Sequence, residues 1–167
     1  MLNFIKQCLA AAFIGIALIV MTTGARAQAA PADIAADGLV KVRSAYSVDE
    51  TIARIRQDIA AKGITLFQAV DQAKLAADAG IALRPSTLLT FGNPPLGAQF
   101  LTSNPYAGLD WPVRLLVLQD ESGTVWAAYT DFGWIARRHG IADRDKEFEM
   151  ASQVIASIAS TVLPDSH

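Results

Sequence analysis

The sequence predicts one small α+β domain, built on a mixed, largely antiparallel sheet with helices packed on one side. Three observations predict it. Segments with strand-like alternation are separated first by helix-like segments and later by a tight turn. Apolar residues make up 52% of the chain, enough for one buried core. Beyond the N-terminal segment, no repeat, low-complexity tract or shift in composition divides the chain.

The N-terminal segment reads as an export signal at residues 1–27. Lys6 is the one positive charge ahead of an apolar run at residues 8–21, and the small-x-small triplet Ala25, Arg26, Ala27 follows. A bilayer core requires about 20 apolar residues. This run is shorter, so cleavage between Ala27 and Gln28 is expected rather than a retained anchor. Cys8 is the sole cysteine and lies inside that run, so disulfides, thiol chemistry and cysteine metal sites are excluded from the rest of the chain.

The 140 residues after the cleavage point fit a single domain. Loss of Lys6 and Arg26 takes 14 basic residues to 12 against 16 acidic ones, a formal charge of −4. Nucleic acid and anionic membrane are poor partners for that balance. No later apolar stretch is long enough to span a bilayer, so no stable membrane insertion is expected once the signal is removed. The expected location is periplasmic or secreted.

Residues 28–38 are Ala-rich and read as a flexible lead-in to a domain at residues 39–167. Val40 and Val42 alternate with Lys41 and Arg43, the period of a half-buried strand at residues 39–46. Ser47 and Glu50 form a capping box, and Val48, Ile52, Ile55 and Ile59 then share one face of a helix closed by Gly63. Residues 64–70 read as a second strand, with Asp71 capping a short helix over 72–79. Arg84 and Pro85 force an extended approach to a third strand at 87–91.

Gly92, Asn93, Pro94 and Pro95 read as a stiff turn, followed by a short helix near 96–101 and a Pro-punctuated stretch at 104–112. Residues 113–118 and 124–129 read as a hairpin closed by Asp120 to Gly123. Asp131 is placed to cap a short helix over 132–138. A last helix near 146–162 carries Phe148, Ala151, Ile155, Ile158 and Val162 on one stripe.

No catalytic or metal constellation accompanies these elements. His139 and the terminal His167 are the two histidines, and no Asp, Glu or His set at metal spacing joins them. His139 reads as a helix-end residue favoured by the helix dipole, and Arg137, Arg138 and His139 stand at a helix C-terminus, which does not attract external anions. No serine has a histidine placed to serve it as base. Trp111, Trp126 and Trp134 read as core or interface. The polar residues at strand ends are Asp71, Arg84, Asn93, Asp110 and Arg114, each explicable singly as a cap or turn residue. Together on stiff loops they are the candidate ligand-binding set.

At these same positions the chain resembles the family catalogued as domain of unknown function 302. The resemblance runs over residues 39–141. It is carried by FQAVDQ (67–72), LRP (83–85), FGNP (91–94), GLDWPVR (108–114), the strand at 125–129 and ARRH (136–139). It implies a compact α+β domain, homodimeric, often behind a signal peptide, with no agreed activity. The family pattern usually has His at the position of Gln72, and Gly-Thr-Pro-Leu-Met where this chain has GAQFL (97–101). Gln72 cannot replace a histidine in proton transfer or metal binding.

The resulting expectation is a homodimeric extracytoplasmic binding or accessory protein without cofactor or metal, holding a small polar or anionic ligand near Arg84, Asn93 and Arg114. One rival is a hydrolase-like or isomerase-like enzyme with Asp71 or Asp110 as base. The other is a structural partner protein whose arginines pair with Asp71 or Asp110 to pin the loops.

Overall fold

The computed structural model describes residues 36–165. The expected export signal, its expected cleavage point and most of the expected lead-in lie outside the described residues. The elements run β1 (Leu39–Arg43), α1 (Val48–Ala61), β2 (Thr65–Asp71), α2 (Gln72–Asp78), β3 (Ser86–Gly92), α3 (Pro94–Ser103), a 3-10 turn (Pro105–Leu109), β4 (Val113–Gln119), β5 (Val125–Thr130), α4 (Phe132–His139) and α5 (Asp145–Ser160).

The five strands form one sheet in the order β1-β5-β4-β3-β2. Every neighbouring pair is antiparallel, so the sheet is not mixed. The expectation of parallel pairing came from the helical segments that separate the first strands, of which the one between β2 and β3 is the shorter. α2 is only 7 residues long and buries none of them; it turns the chain at the strand end instead of carrying it across a face. A parallel crossover needs a dozen residues or more. β1 and β2 end up at opposite edges, and α1 is the long connection between them.

Strand alternation divides the sheet into two unlike faces. Leu89, Leu115, Val117 and Ala127 point to the helical side and are fully buried. Ile55 and Ile59 of α1 and Ile155 and Ile158 of α5 meet them at 2% exposure or less, each contributing about 1.5–3 kcal/mol of apolar burial. Phe100 of α3, Phe132 of α4 and Phe148 of α5 close one end of this core, with the Phe100 and Phe148 rings 4.3 Å apart. Near the start of β1, Gly38 has φ +79°, and a Cβ there would stand 2.3 Å from Trp134 Cγ. Only glycine lets the chain pass that indole.

The caps follow the sequence closely. Ser47 Oγ accepts from the Glu50 amide, Asp71 from Lys74, and Asp131 from Trp134. The stiff turn at Gly92 to Pro95 proves to be a helix start: Asn93 accepts from the Leu96 amide and the prolines occupy the first positions of α3, where their missing N–H costs nothing.

The β4–β5 hairpin is held by one carboxylate. Asp120 accepts from the Ser122 amide and hydroxyl, the Thr124 amide and the Trp126 indole at 2.6–2.9 Å. These bonds, the Ser122 hydroxyl first and the Trp126 indole next, pull its pKa from the ordinary 3.8 to about 2. A folded pKa below the unfolded one stabilises the fold above about pH 4 and is lost as pH falls from there toward 2. Asp120→Asn is therefore expected to flatten the loss of stability between pH 4 and 2, read as denaturant midpoints across that range; an unchanged slope would show that Asp120 does not contribute.

Candidate functional site

The five candidate residues do not converge. β3 runs about 20 Å from end to end. Asp71 and Arg84 stand at its start, where Asp71 is in register with Thr87. Asn93 follows its last residue, and Asp110 and Arg114 flank the start of β4, in register with Phe91. Asp71 caps α2. Arg84 pairs with Glu121 at 3.2 Å, with both side chains largely exposed. Arg114, however, touches Asp110 directly. A single pocket bounded by Arg84, Asn93 and Arg114 is not formed.

Asp110 is the centre of a buried ionic node. Its side chain is 3% exposed and meets three donors. Arg114 donates from Nη2 at 2.8 Å and holds the Leu109 carbonyl with the same nitrogen. Arg138 donates from Nη1 at 3.0 and 3.2 Å, and His139 from Nε2 at 2.7 Å. An ionised carboxylate only accepts, so the proton of that last bond sits on Nε2 of His139. The His139 side chain is 6% exposed, its backbone carbonyl accepts from Asn104 Nδ2, and the Arg138 guanidinium lies 5.5 Å from the Trp134 ring centre.

His139 and Arg138 therefore do hold an anion, one supplied by the protein itself. The helix-end reading missed this because the carboxylate comes from 28 and 29 positions earlier in the chain. Sequence spacing carries no sign of it.

The residue after Asp110 opens a different feature. Trp111 lies along the wall of a cavity of about 340 Å³ between the end of the sheet, α3 and α5. Phe91, Leu96, Phe100, Phe132, Val154 and Ile155 supply most of the lining, with Lys62 and Asn93 as its polar members. The indole fits because α3 carries Gly97 at the contact: a Cβ there would stand 2.0 Å from Trp111 Nε1 and Cε2. Phe67 meets the indole edge-on, with ring centres 6.0 Å apart. Gly97, Trp111 and Lys62 were not among the candidates. Gly97 is the residue that sequence reading stood to notice, since glycine inside a helix is costly without a packing reason.

The second sheet face carries no helix among the described residues. Leu88, Leu116, Leu118, Trp126 and Ala128 form a broad concavity of about 600 Å³ rimmed by Lys41, Arg114 and Asp120. Gln72, at the position where the resembling family usually has His, accepts from the Ser86 hydroxyl at 2.7 Å. No group of three His, Cys, Asp or Glu residues suited to a metal occurs among the described residues.

Comparison with known proteins agrees with this architecture. The family described as "Domain of unknown function DUF302" matches residues 40–160. A solved structure described as an uncharacterized conserved protein DUF302 from Bacillus stearothermophilus superposes with a TM-score of 0.68 over 75% of this chain and 98% of that one, at 17% identity. Two curated relatives, from Brucella suis biovar 1 and Brucella abortus biovar 1, are named "Fluoride-specific ion channel FluC 1". Each is 40% identical over 110 residues, 66% of this chain. The matched stretch is 43% and 41% of their own lengths.

The node makes a directional prediction for stability. Loss of one arginine leaves a buried carboxylate short of a donor. Arg138→Met is therefore expected to cost about 1–3 kcal/mol. Arg114→Met with Arg138→Met should cost more than the two single changes summed, because the second loss strands the charge. Urea unfolding of the two single variants and the double variant measures this; additive, near-zero costs would show the node to be a surface decoration.

Proposed function

We propose a function from one premise: the chain belongs to the DUF302 family. Its role is that of an exported, non-catalytic binding module that holds one small and largely apolar ligand beside Trp111. The observation that carries this reading is the cavity itself. Ligand sites are usually clefts of about 300–1,000 Å³ with apolar walls and a few polar groups. The cavity at Trp111 has that size and that lining. The ligand first expected near Arg84, Asn93 and Arg114 was polar or anionic; of those three residues only Asn93 lines this cavity, and the walls favour an apolar body.

Export rests on the N-terminal pattern, and a homodimer on the uncovered sheet face. A stable dimer buries at least about 1,000 Å² in total, and the apolar residues of β3, β4 and β5 offer the surface for it. A carboxylate enzyme is the reading the geometry favours less. Asp71 uses its oxygen as a helix cap, and Asp110 has its oxygens occupied by Arg114, Arg138 and His139.

Native mass spectrometry of the full chain, expressed with its leader and recovered from the cell envelope, tests the reading as a whole. The expected species begins at Gln28, has twice the protomer mass and carries a small-molecule adduct. Val154→Trp fills the cavity from α5 and is expected to lose the adduct while keeping its unfolding midpoint. A retained Met1 would refute export, and a monomer would refute the dimer. The binding role fails if wild type carries no adduct and binds octanol no better than Val154→Trp does.

A second reading rests on the curated relatives. Chains named as fluoride-specific ion channels contain a stretch 40% identical to this one, so the module would act as an accessory to anion passage across a membrane. A strain lacking it should then grow at least about twofold less well on millimolar fluoride than its parent; equal growth would remove this reading.

A further inference from the structure

The cavity at Trp111 is not neutral in its hydrogen-bonding character, and this specifies one end of its occupant. From the polar side chains on its wall, we infer that the ligand is a small apolar carboxylate, its chain against Phe91, Phe100, Trp111 and Val154 and its head at Lys62. The inference rests on the binding role proposed above and adds the chemical class of the ligand.

The polar side chains that line the cavity offer donors. Asn93 uses its Oδ1 to cap α3 at the Leu96 amide and keeps its Nδ2. Trp111 has only an N–H to give. Asn93 is an exposed residue and Trp111 a partly buried one, and the indole N–H is not a buried orphan. Lys62 follows α1 and stands at the mouth, 31% exposed at its side chain. Its ammonium has three donors; Asp58 takes two of them, at 2.6 and 2.7 Å, and the third remains for a ligand. The backbone at the start of α3 adds none, because Pro94 and Pro95 lack N–H groups, the Leu96 amide is already used and the Gly97 amide bonds the Asn93 carbonyl.

A cationic head would meet the N–H groups of Asn93 and Trp111, and the carboxylate nearest to it, Asp58, is already engaged by the Lys62 ammonium. A purely apolar occupant would leave the head groups hydrated but unused. A carboxylate has acceptors for donors of this kind, the third N–H of Lys62 first among them, and a charge-assisted bond is roughly twice as strong as a neutral one. At about 340 Å³ the cavity stands at the small end of the range for ligand sites. Octanoate suits a cavity of that size.

Calorimetric titration of the full-length mature protein with octanoate, octanol and octylamine at one ionic strength tests the inference. Octanoate is expected to bind about fivefold or more tightly than octylamine, with octanol between them. Lys62→Met should bring octanoate and octylamine to within about twofold of each other while leaving octanol unchanged, since Met keeps the apolar stem and removes the charge. Trp111→Phe keeps the ring and removes the N–H, so it should weaken octanoate more than octanol. Equal affinity for all three heads in wild type would overturn the carboxylate assignment and leave the binding role standing. Failure of all three to prefer wild type over Val154→Trp would overturn the binding role together with this inference.

Discussion

A carboxylate removed from water has to be matched by donors that come with it, and in this fold that constraint falls on Asp110. Its side chain is almost wholly buried, and burial of an unpaired charge costs several kcal/mol even after relaxation. The chain answers with Arg114 four residues on and with Arg138 and His139 from the end of α4. These bonds tie the loop ahead of β4 to a helix that follows β5. Trp111 and Pro112 therefore stand between two fixed points, the node at Asp110 and the first residue of β4 at Val113.

The position of Trp111 follows from that fixation. Its neighbour Asp110 is held from three sides, so the indole is delivered to the same place on the end of the sheet, against Gly97 of α3 and Phe67 of β2. The aromatic cluster of Phe100, Phe132 and Phe148 packs just beyond. A rigid aromatic wall loses little entropy when a ligand binds, which is how preorganised sites keep affinity in few contacts. Charge and cavity thus divide the work: the ionic node positions the wall, and the proposed ligand would meet that wall together with Lys62 and Asn93.

The two faces of the sheet have different fates for a reason visible in their residues. The helical face is continuous aliphatic core. The other face mixes Leu88, Leu116, Leu118 and Trp126 with Lys41 and Arg114, a composition of apolar centre and charged rim that suits association better than isolation. Trp126 is only half available there, since its N–H is committed to Asp120 and to the hairpin that Asp120 holds.

Much of the local structure was legible in the sequence because local structure is made by neighbours. Ser47, Asp71 and Asp131 cap the helices they precede, and the hairpin closes where Asp120 to Gly123 demand it; each signal acts within about four residues. Two local signals were read differently from what they do. The prolines after Asn93 start a helix instead of making a free turn, and α2 reverses the chain instead of crossing the sheet. The sequence by itself determined the α+β class, the element order and which face of α1 and α5 goes inward, since these depend on periodicity and capping. Only the tertiary structure decided that Arg84 and Asp71 stand apart from Asn93 and Arg114, and that Asp110 meets His139. Strand order is set by which apolar faces bury best together, and contacts between residues 28 or 29 positions apart leave no trace in the spacing of either.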